Sequence, residues 1–141
     1  MNRARILYVV IALLSLIGLA DALYLTVEHV TGQTVRCTLV SGCSEVLSSS
    51  YAVVAGIPLA AVGAAAYFTA FSLATLAIFG YGIAGKLLTP LTTLMLLVSW
   101  WLIYLQAFVI HAFCQFCLLS AGITILLFVF AFLAWKKGSL R

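Results

Sequence analysis

The sequence contains four cysteines in two spaced pairs, and these are its strongest candidates for chemistry. Cys114 and Cys117 are three residues apart in HAFCQFCLLS, at the start of a long apolar run, while Cys37 and Cys43 lie far upstream in VRCTLVSGC. Side chains three apart on a helix share a face, so the first two thiols would be neighbours. The N–H groups and dipole of a helix N-terminus favour an anion, and therefore a reactive thiolate. This pattern suits disulfide exchange, which passes electrons without a metal.

Four apolar stretches must position these thiols. They are residues 6–27, 57–79, 87–110 and 113–135, and each reaches the length of about 20 residues that a helix needs to cross a membrane. Of the 141 residues, 66% are hydrophobic and only 7% are charged, against about 25% charged in a soluble domain. Backbone polar groups cannot stay unpaired in lipid, so the stretches should be helices. The sequence therefore predicts an all-α, integral membrane four-helix bundle that forms one domain over residues 1–141.

The basic residues predict the orientation of this bundle. Four spans place both termini on one side, and that side would hold all the basic residues except Arg36. An excess of Lys and Arg marks the cytoplasmic side. We therefore expect cytoplasmic termini and a long outer loop between helices 1 and 2. The predicted topology explains the net charge of +4, because the basic residues mark the cytoplasmic side. No basic patch is then left over to bind nucleic acid. The residues on the cytoplasmic side are Arg3, Arg5, Lys86, Lys136, Lys137 and Arg141.

All four cysteines fall on the outer side of this topology. Cys37 and Cys43 lie in the long outer loop, and Cys114 and Cys117 lie at the outer mouth of the fourth span. Disulfides persist outside the cytoplasm of bacteria and archaea, and in the ER lumen. We therefore expect a multi-pass protein of the cell membrane with its active site on the extracytoplasmic side.

Two other uses of the cysteines remain open. Four thiols could bind zinc, although the five residues between Cys37 and Cys43 exceed the usual separation of about two to four. They could instead form structural disulfides that hold the outer loop, and four cysteines allow three connectivities. Either use would make the chain a non-catalytic membrane protein. Covalent haem attachment does not fit, because Leu118 follows Cys117 where that motif has a histidine.

Other residues are candidates for supporting roles. Asp21 lies inside the first span, where carboxylates are costly and usually functional. A proton role is one interpretation, and pairing with a polar group between helices is the other. His111 lies just before the CQFC motif and could tune it, or could simply be solvated at the interface. Three aromatic residues of the third span could wall a ligand pocket or anchor the helix at the interface. They are Trp100, Trp101 and Tyr104.

The order of these features resembles the vitamin K epoxide reductase family, in particular its small bacterial and archaeal homologues. The resemblance begins with the first span and the loop pair of cysteines. It continues through CSEVLSSSY (43–51) and GIPLAAVGAAAY (56–67), and ends with CQFC opening the last span. DsbB-like thiol oxidases have the reverse order, with CxxC in the first outer loop and the spaced pair in the second. The shared pattern covers nearly the whole chain.

This resemblance implies a membrane thiol–quinone oxidoreductase that supports disulfide formation outside the cytoplasm. Family members pass electrons from a thioredoxin-fold protein through the loop pair to the CxxC pair, and then to a quinone, without a metal. By position, Cys37 would exchange with the partner and Cys43 would attack the helical disulfide. Cys114 would receive that attack, and Cys117 would face the quinone. Ser49 matches the family's serine after the loop pair, which lies near the active site.

The chain also departs from the family in ways that narrow the expectation. Vertebrate members hydrogen-bond the quinone with an asparagine after the loop and with a tyrosine four residues beyond the CxxC. Here Ala121 stands at the tyrosine position, and no asparagine is suitably placed. The resemblance therefore implies reduction of a quinone, such as ubiquinone or menaquinone, rather than of an epoxide. Some bacterial members carry a fused thioredoxin-like domain. None is expected here, so the partner would be a separate DsbA-like protein.

Overall fold

Four long helices build the fold. The computed structural model describes residues 3–31, 53–54, 57–110 and 115–139. All four helices are long and apolar enough to cross a membrane, which confirms the α-helical membrane architecture. The elements in chain order are α1 (Arg3–Thr31), β1 (Val53–Val54), β2 (Ile57–Pro58), α2 (Leu59–Ile78), α3 (Gly82–Tyr104), a π-helical continuation of α3 (Leu105–Ile110), and α4 (Gln115–Ser139).

The helix ends differ somewhat from the expected spans. Helix α1 extends beyond residues 6–27 at both ends, because polar residues at a helix end can reach water. Helix α2 begins two residues later than expected, because Ile57 and Pro58 pair with Val54 and Val53 in an antiparallel ladder. Helix α3 begins earlier than residue 87, directly after the turn that precedes it.

A tight turn reverses the chain between α2 and α3. Gly80 has a φ of +101°, a left-handed conformation that costs glycine little. The Tyr81 amide donates to the Leu76 carbonyl at 3.1 Å, and the Gly80 amide donates to the Ala77 carbonyl at 3.1 Å. These are the two hydrogen bonds of a Schellman motif, which satisfies carbonyls left open at a helix C-terminus. The turn makes α2 and α3 antiparallel neighbours.

Each helix packs against two others. Helices α1 and α3 both lie against α2 and α4. The core holds large apolar side chains such as Ile11, Leu88 and Leu127, together with the small residues Ala70 and Ala74. Small residues allow membrane helices to approach closely, since lipid supplies no hydrophobic drive for association. The outward surface carries many exposed leucines, valines and phenylalanines, as expected for a lipid-facing bundle.

Two ends of the bundle are distinguished by their residues. The cysteine end contains the end of α1, the start of α2, the π-helical segment and the start of α4, where Cys117 lies. The opposite, basic end contains the start of α1, the turn between α2 and α3, and the end of α4. The basic side chains described at this end belong to Arg3, Arg5, Lys86 and Lys136. This separation agrees with the sequence pattern behind the predicted orientation, although the side that each end occupies stays a prediction.

Candidate functional site

Cys117 lies at the cysteine end of the bundle. It is the third residue of α4, and its side chain is half-buried. The thiol is therefore placed at a helix N-terminus, as the sequence predicts. The roles predicted for several other residues remain predictions, because those residues lie outside the described part of the chain. They are Cys37, Cys43, Ser49, His111 and Cys114.

A tyrosine crosses the bundle just below this thiol. Tyr67 of α2 is almost completely buried, and its hydroxyl reaches α4. It donates to the Ser120 carbonyl at 2.9 Å and hydrogen-bonds the Ser120 hydroxyl at 2.6 Å and the Thr124 hydroxyl at 3.1 Å. Ser120 lies one helical turn beyond Cys117, so these two residues share a face of α4. A hydroxyl cluster thus lies one turn below the thiol.

The path of Tyr67 depends on a glycine of α1. A Cβ atom added to Gly18 would overlap the Tyr67 ring, so the ring lies directly against the α1 backbone. Any other residue at this position would push the ring away from α4 or separate the helices. Sequence analysis missed both Tyr67 and Gly18. The GIPLAAVGAAAY segment that ends at Tyr67 was recognised, but nothing in it showed where the hydroxyl would point.

Asp21 lies beside this cluster, one helical turn from Gly18 on the same side of α1. Only 8% of the residue is exposed, and within the described part of the chain its Oδ2 atom has no hydrogen-bond partner. The Tyr67 ring lies against Gly18, so Asp21 is one turn of α1 away from that contact. The structure therefore places Asp21 inside the bundle and near a polar group of another helix. Its proton role stays a prediction.

Gln106 brings a buried amide to the cysteine end. The residue is 2% exposed and lies in the π-helical continuation of α3. Short π-helical segments are rare and are frequent at functional sites. Gln106 and Cys117 both lie within about a turn of the cysteine end of the bundle. Sequence analysis did not consider Gln106, although it is the one side-chain amide in residues 87–110.

A comparison with protein families identifies the relationship. A profile described as the vitamin K epoxide reductase family matches residues 9–132, which take in most of α1, all of α2 and α3, and most of α4. The chain belongs to the vitamin K epoxide reductase family. A search of curated protein sequences finds no match. The resemblance inferred from the cysteine pairs is confirmed at the level of the family, while the small bacterial or archaeal subtype stays a prediction.

Membership of the vitamin K epoxide reductase family indicates a membrane thiol–disulfide oxidoreductase that acts with quinone. The described residues at the cysteine end fit such a substrate. Cys117 supplies a sulfur, Gln106 supplies an amide, and Ser120 supplies a hydroxyl. Pockets for small molecules are mostly apolar and contain a few polar groups that fix orientation. A quinone head, with two carbonyl oxygens on an apolar ring, is a ligand of the kind that such pockets take.

The predicted aromatic wall lies on the other side of α3. Trp100, Trp101 and Tyr104 are each at least half exposed. Trp101 stacks on Tyr104 with ring centroids 5.8 Å apart, and Tyr104 meets Phe108 at 5.2 Å. A shallow groove of about 330 Å³ runs along this surface. It faces away from the bundle interior, so it suits an acyl or isoprenoid chain better than a ring beside Cys117. The predicted contact of these three residues with a quinone stays a prediction.

The alternative of a metal site is not tested by this structure. No cluster of three or more His, Cys, Asp or Glu side chains occurs in residues 3–31, 53–54, 57–110 and 115–139. However, three of the four cysteines lie elsewhere in the chain.

Proposed function

We propose that this protein is a quinone-dependent thiol oxidoreductase that supports disulfide formation outside the cytoplasm. Electrons pass from a separate thioredoxin-fold, DsbA-like protein to Cys37 and Cys43, then to Cys114 and Cys117, and finally to a quinone in the bilayer. The observation that carries this proposal is the family match, which spans both cysteine pairs. The half-buried position of Cys117 at the start of α4, above buried hydroxyls, supports it.

The sulfur chemistry is a sequence of exchanges. A thiolate of the partner attacks Cys37, which breaks the Cys37–Cys43 bond and releases Cys43 as a thiolate. Cys43 then attacks Cys114, which breaks the Cys114–Cys117 bond and releases Cys117 as a thiolate. The second partner thiol resolves its mixed disulfide, and the returning Cys37 thiolate attacks Cys43. The result is one new disulfide in the partner, a restored Cys37–Cys43 bond and a Cys114–Cys117 dithiol.

A quinone supplies a two-electron, two-proton acceptor that returns this dithiol to the disulfide. Cys117 presents its sulfur from the start of α4, where the helix N-terminus stabilises negative charge on it. Gln106 can hydrogen-bond a carbonyl oxygen, and Ser49 is proposed to lie near the same place. Ala121 leaves the family's tyrosine position empty of a hydroxyl, which supports plain quinone reduction.

The proposed orientation places the cysteine end outside the cytoplasm. The excess of basic residues at the opposite end supports this orientation, because Lys and Arg accumulate on the cytoplasmic side of membrane proteins. In whole cells, a membrane-impermeant thiol reagent should label reduced Cys37. A cysteine introduced at the exposed turn residue Tyr81 should react only after the membrane is opened. Labelling of Tyr81→Cys from outside would overturn this orientation.

The relay is tested by replacing Cys37 with serine. Cys43 then lacks its local partner and attacks Cys114, and an oxidised quinone competes for the released Cys117 thiolate. A Cys43–Cys114 disulfide should therefore accumulate, and mass spectrometry of linked peptides would detect it. The matched control, Cys37→Ser with Cys114→Ser, should lose this peptide. A folded Cys37→Ser protein in which another pairing dominates would show that the relay order is wrong.

The overall reaction is tested with the purified wild-type protein. Addition of a reduced thioredoxin-fold protein should convert added quinone to quinol, with one partner disulfide formed for each quinone consumed. The ultraviolet absorbance of the quinone and the thiol content of the partner measure the two sides. A protein that exchanges thiols but never reduces any quinone would contradict the proposed function.

A further inference from the structure

Asp21 is a buried group that the thiol exchanges described above leave unused. It lies ten residues before the end of α1, so about 15 Å of helix separates it from the cysteine end. It is almost fully buried, and its Oδ2 has no hydrogen-bond partner in the described part of the chain. An ionisable group inside a membrane helix is costly and is seldom kept for packing alone. Its neighbours indicate what it could do.

A path of polar groups leads from Asp21 to the cysteine pair. Gly18 is one turn away on α1, and the Tyr67 ring rests on it, so the ring lies about one turn along α1 from the carboxyl. The Tyr67 hydroxyl hydrogen-bonds the Ser120 hydroxyl at 2.6 Å. Ser120 in turn lies one turn from Cys117 on the same face of α4. The groups therefore follow one another in the order Asp21, Tyr67, Ser120 and Cys117, across three helices.

No described cation balances the charge of Asp21, because the described Lys and Arg side chains all lie at the basic end. Helix α3 brings no buried titratable group to it, since Lys86 and Tyr104 are exposed. No described residue offers Asp21 a salt bridge. The buried carboxyl group is therefore stabilised either by taking up a proton or by accepting hydrogen bonds. Apart from Tyr8 and the basic residues Arg3, Arg5 and Lys136, which lie towards the basic end, the described titratable groups on Asp21's own helix and on the helices packed against it are Tyr24 and Glu28 of α1, Tyr67 of α2 and Cys117 of α4.

We infer that Asp21 is the proton-exchanging residue of the dithiol centre and acts through Tyr67 and Ser120. Closing the Cys114–Cys117 disulfide breaks two S–H bonds and forms one S–S bond, and the quinone finally takes up two electrons and two protons. The Cys114 proton is released to water at the cysteine end, and water there supplies the other proton of the quinol. Cys117 leaves the exchange as a thiolate and takes up a proton from the same water. Before oxidation, this Cys117 proton moves through the Ser120 and Tyr67 hydroxyls, each of which gives up one proton as it accepts another. The Asp21 carboxylate holds this proton as the acid.

The return of the proton completes the cycle. Once the two electrons have left the sulfurs, Asp21 gives the proton back along the same hydroxyls, and it ends on a quinol oxygen. Asp21 therefore ends the turnover in its starting state, and no ion has to enter the bundle. This role depends on the proposed thiol oxidation, and it adds the path of the proton to the path of the electrons.

The small number of acids in this chain allows a direct test without quinone. Asp and Glu total three residues, so infrared difference spectra of the dithiol and disulfide forms can assign each carboxyl band. We expect the protonated-carboxyl C=O stretch to change when the pair is oxidised chemically. This change should vanish in Asp21→Asn and persist in Glu28→Gln and Glu45→Gln. A spectrum with no Asp21 band change would overturn the assignment.

Kinetics of the reduced protein with excess quinone give the second test. Single-turnover quinone reduction should slow about 100-fold near neutral pH in Asp21→Asn, as for loss of a general acid–base group. The rate should recover as the pH rises, because the Cys117 thiol then ionises without a protein base. Asp21→Glu should restore part of the rate. Tyr67→Phe, which keeps the ring over Gly18, should slow the same step and add nothing to Asp21→Asn. Ser15→Ala, a change at a buried hydroxyl of α1, should leave the rate unchanged.

The outcomes separate this role from the proposed function itself. If Asp21→Asn reacts with quinone at the wild-type rate and pH dependence, Asp21 does not exchange the proton, and thiol oxidation stands. If wild-type protein shows the Asp21 band change but never reduces quinone, the proposed acceptor is wrong while the proton coupling stands. Exchange between the partner and Cys37 should proceed normally in Asp21→Asn. A parallel loss of that exchange would mean that the residue is merely structural.

Discussion

The two halves of the bundle differ in whether the hydroxyl groups of Tyr67, Thr92 and Thr93 link two helices. At the cysteine end, the Tyr67 hydroxyl joins α2 to Ser120 and Thr124 of α4. Towards the basic end, the hydroxyls of Thr92 and Thr93 donate to carbonyls of their own helix at 2.9 and 2.7 Å. A bond back to the same helix satisfies a hydroxyl without linking two elements. The described hydrogen bonds of Tyr67, which link two helices, therefore lie one turn below the proposed redox thiol.

Glycines under tyrosines show the same contrast. A Cβ at Gly18 would meet the ring carbons Cδ1, Cε1 and Cζ of Tyr67, whereas a Cβ at Gly85, at the basic end, would first meet the hydroxyl tip of Tyr8. The edge of a buried ring cannot move without disturbing the bundle core, but the tip of a side chain can shift. The cysteine half is thus built around a fixed phenol. Fixed geometry suits proton and electron transfer, since both depend on short distances between groups.

The largest expected effect comes from the thiol at the cysteine end. Cys117→Ser should abolish quinone reduction, because the hydroxyl cannot form the disulfide, and should leave the unfolding temperature close to that of the wild type. Turnover with quinone and thermal unfolding in detergent measure the two properties. Ser72→Ala is the matched control, since Ser72 bonds only back to the Phe68 carbonyl of its own helix in the described hydrogen bonds. Quinone turnover by Cys117→Ser would show that the thiol at the cysteine end is not required for the reaction.

The next effect separates the two glycines. Gly18→Ala should lower the free energy of unfolding by about 1 to 3 kcal/mol, as overpacking of a core does. Gly85→Ala should cost less, because the Tyr8 hydroxyl can move aside. Gly63→Ala is the control: a Cβ there meets no atom within 4 Å, so the helix should gain about 1 kcal/mol of propensity. Equal losses at residues 18 and 85 in chemical unfolding would contradict the distinction between a fixed and a movable tyrosine.

A smaller effect tests the two faces of α3 at the cysteine end. Gln106→Leu should raise the KM for quinone about fivefold, as expected for the loss of one hydrogen bond of about 1 kcal/mol. Trp101→Leu, on the lipid-facing side, should change KM less. Steady-state kinetics with a water-soluble quinone analogue would measure both. A larger KM change in Trp101→Leu would move the quinone to the exposed aromatic face, as the sequence interpretation suggested.

The smallest effect concerns stability alone. Tyr67→Phe should cost about 0.6 kcal/mol, the average for hydrogen bonds between membrane helices. Thr92→Val should cost less, because the Leu88 carbonyl that it releases is already in the helix ladder. Both variants keep the shape of the buried side chain, so unfolding in detergent compares hydrogen bonds rather than packing. A greater loss in Thr92→Val would reverse the comparison of the two halves.

The amino-acid sequence by itself determined the membrane architecture and the family. Four apolar stretches of spanning length predict four helices, because hydration of the backbone is impossible in lipid whatever the neighbours are. The positions of Cys37 and Cys43 before the CQFC motif predicted the vitamin K epoxide reductase family. Helix-end position also predicted Cys117 at the start of α4. Each of these properties depends on local composition or on spacing along one chain segment.

Only the tertiary structure decided how polar side chains meet inside the bundle. Tyr67 and Ser120 are 53 residues apart, and their contact depends on the rotation of α2 and α4 about their axes. The α-helices have weak amphipathic patterns here, because lipid-facing and core-facing residues are both apolar. Sequence periodicity therefore could not reveal that the Tyr67 ring packs on Gly18, that Gln106 is buried in a π-helical turn, or that Asp21 is buried one turn from Gly18. These contacts follow from which helix faces pack together, and that depends on the fit of side chains across the whole bundle.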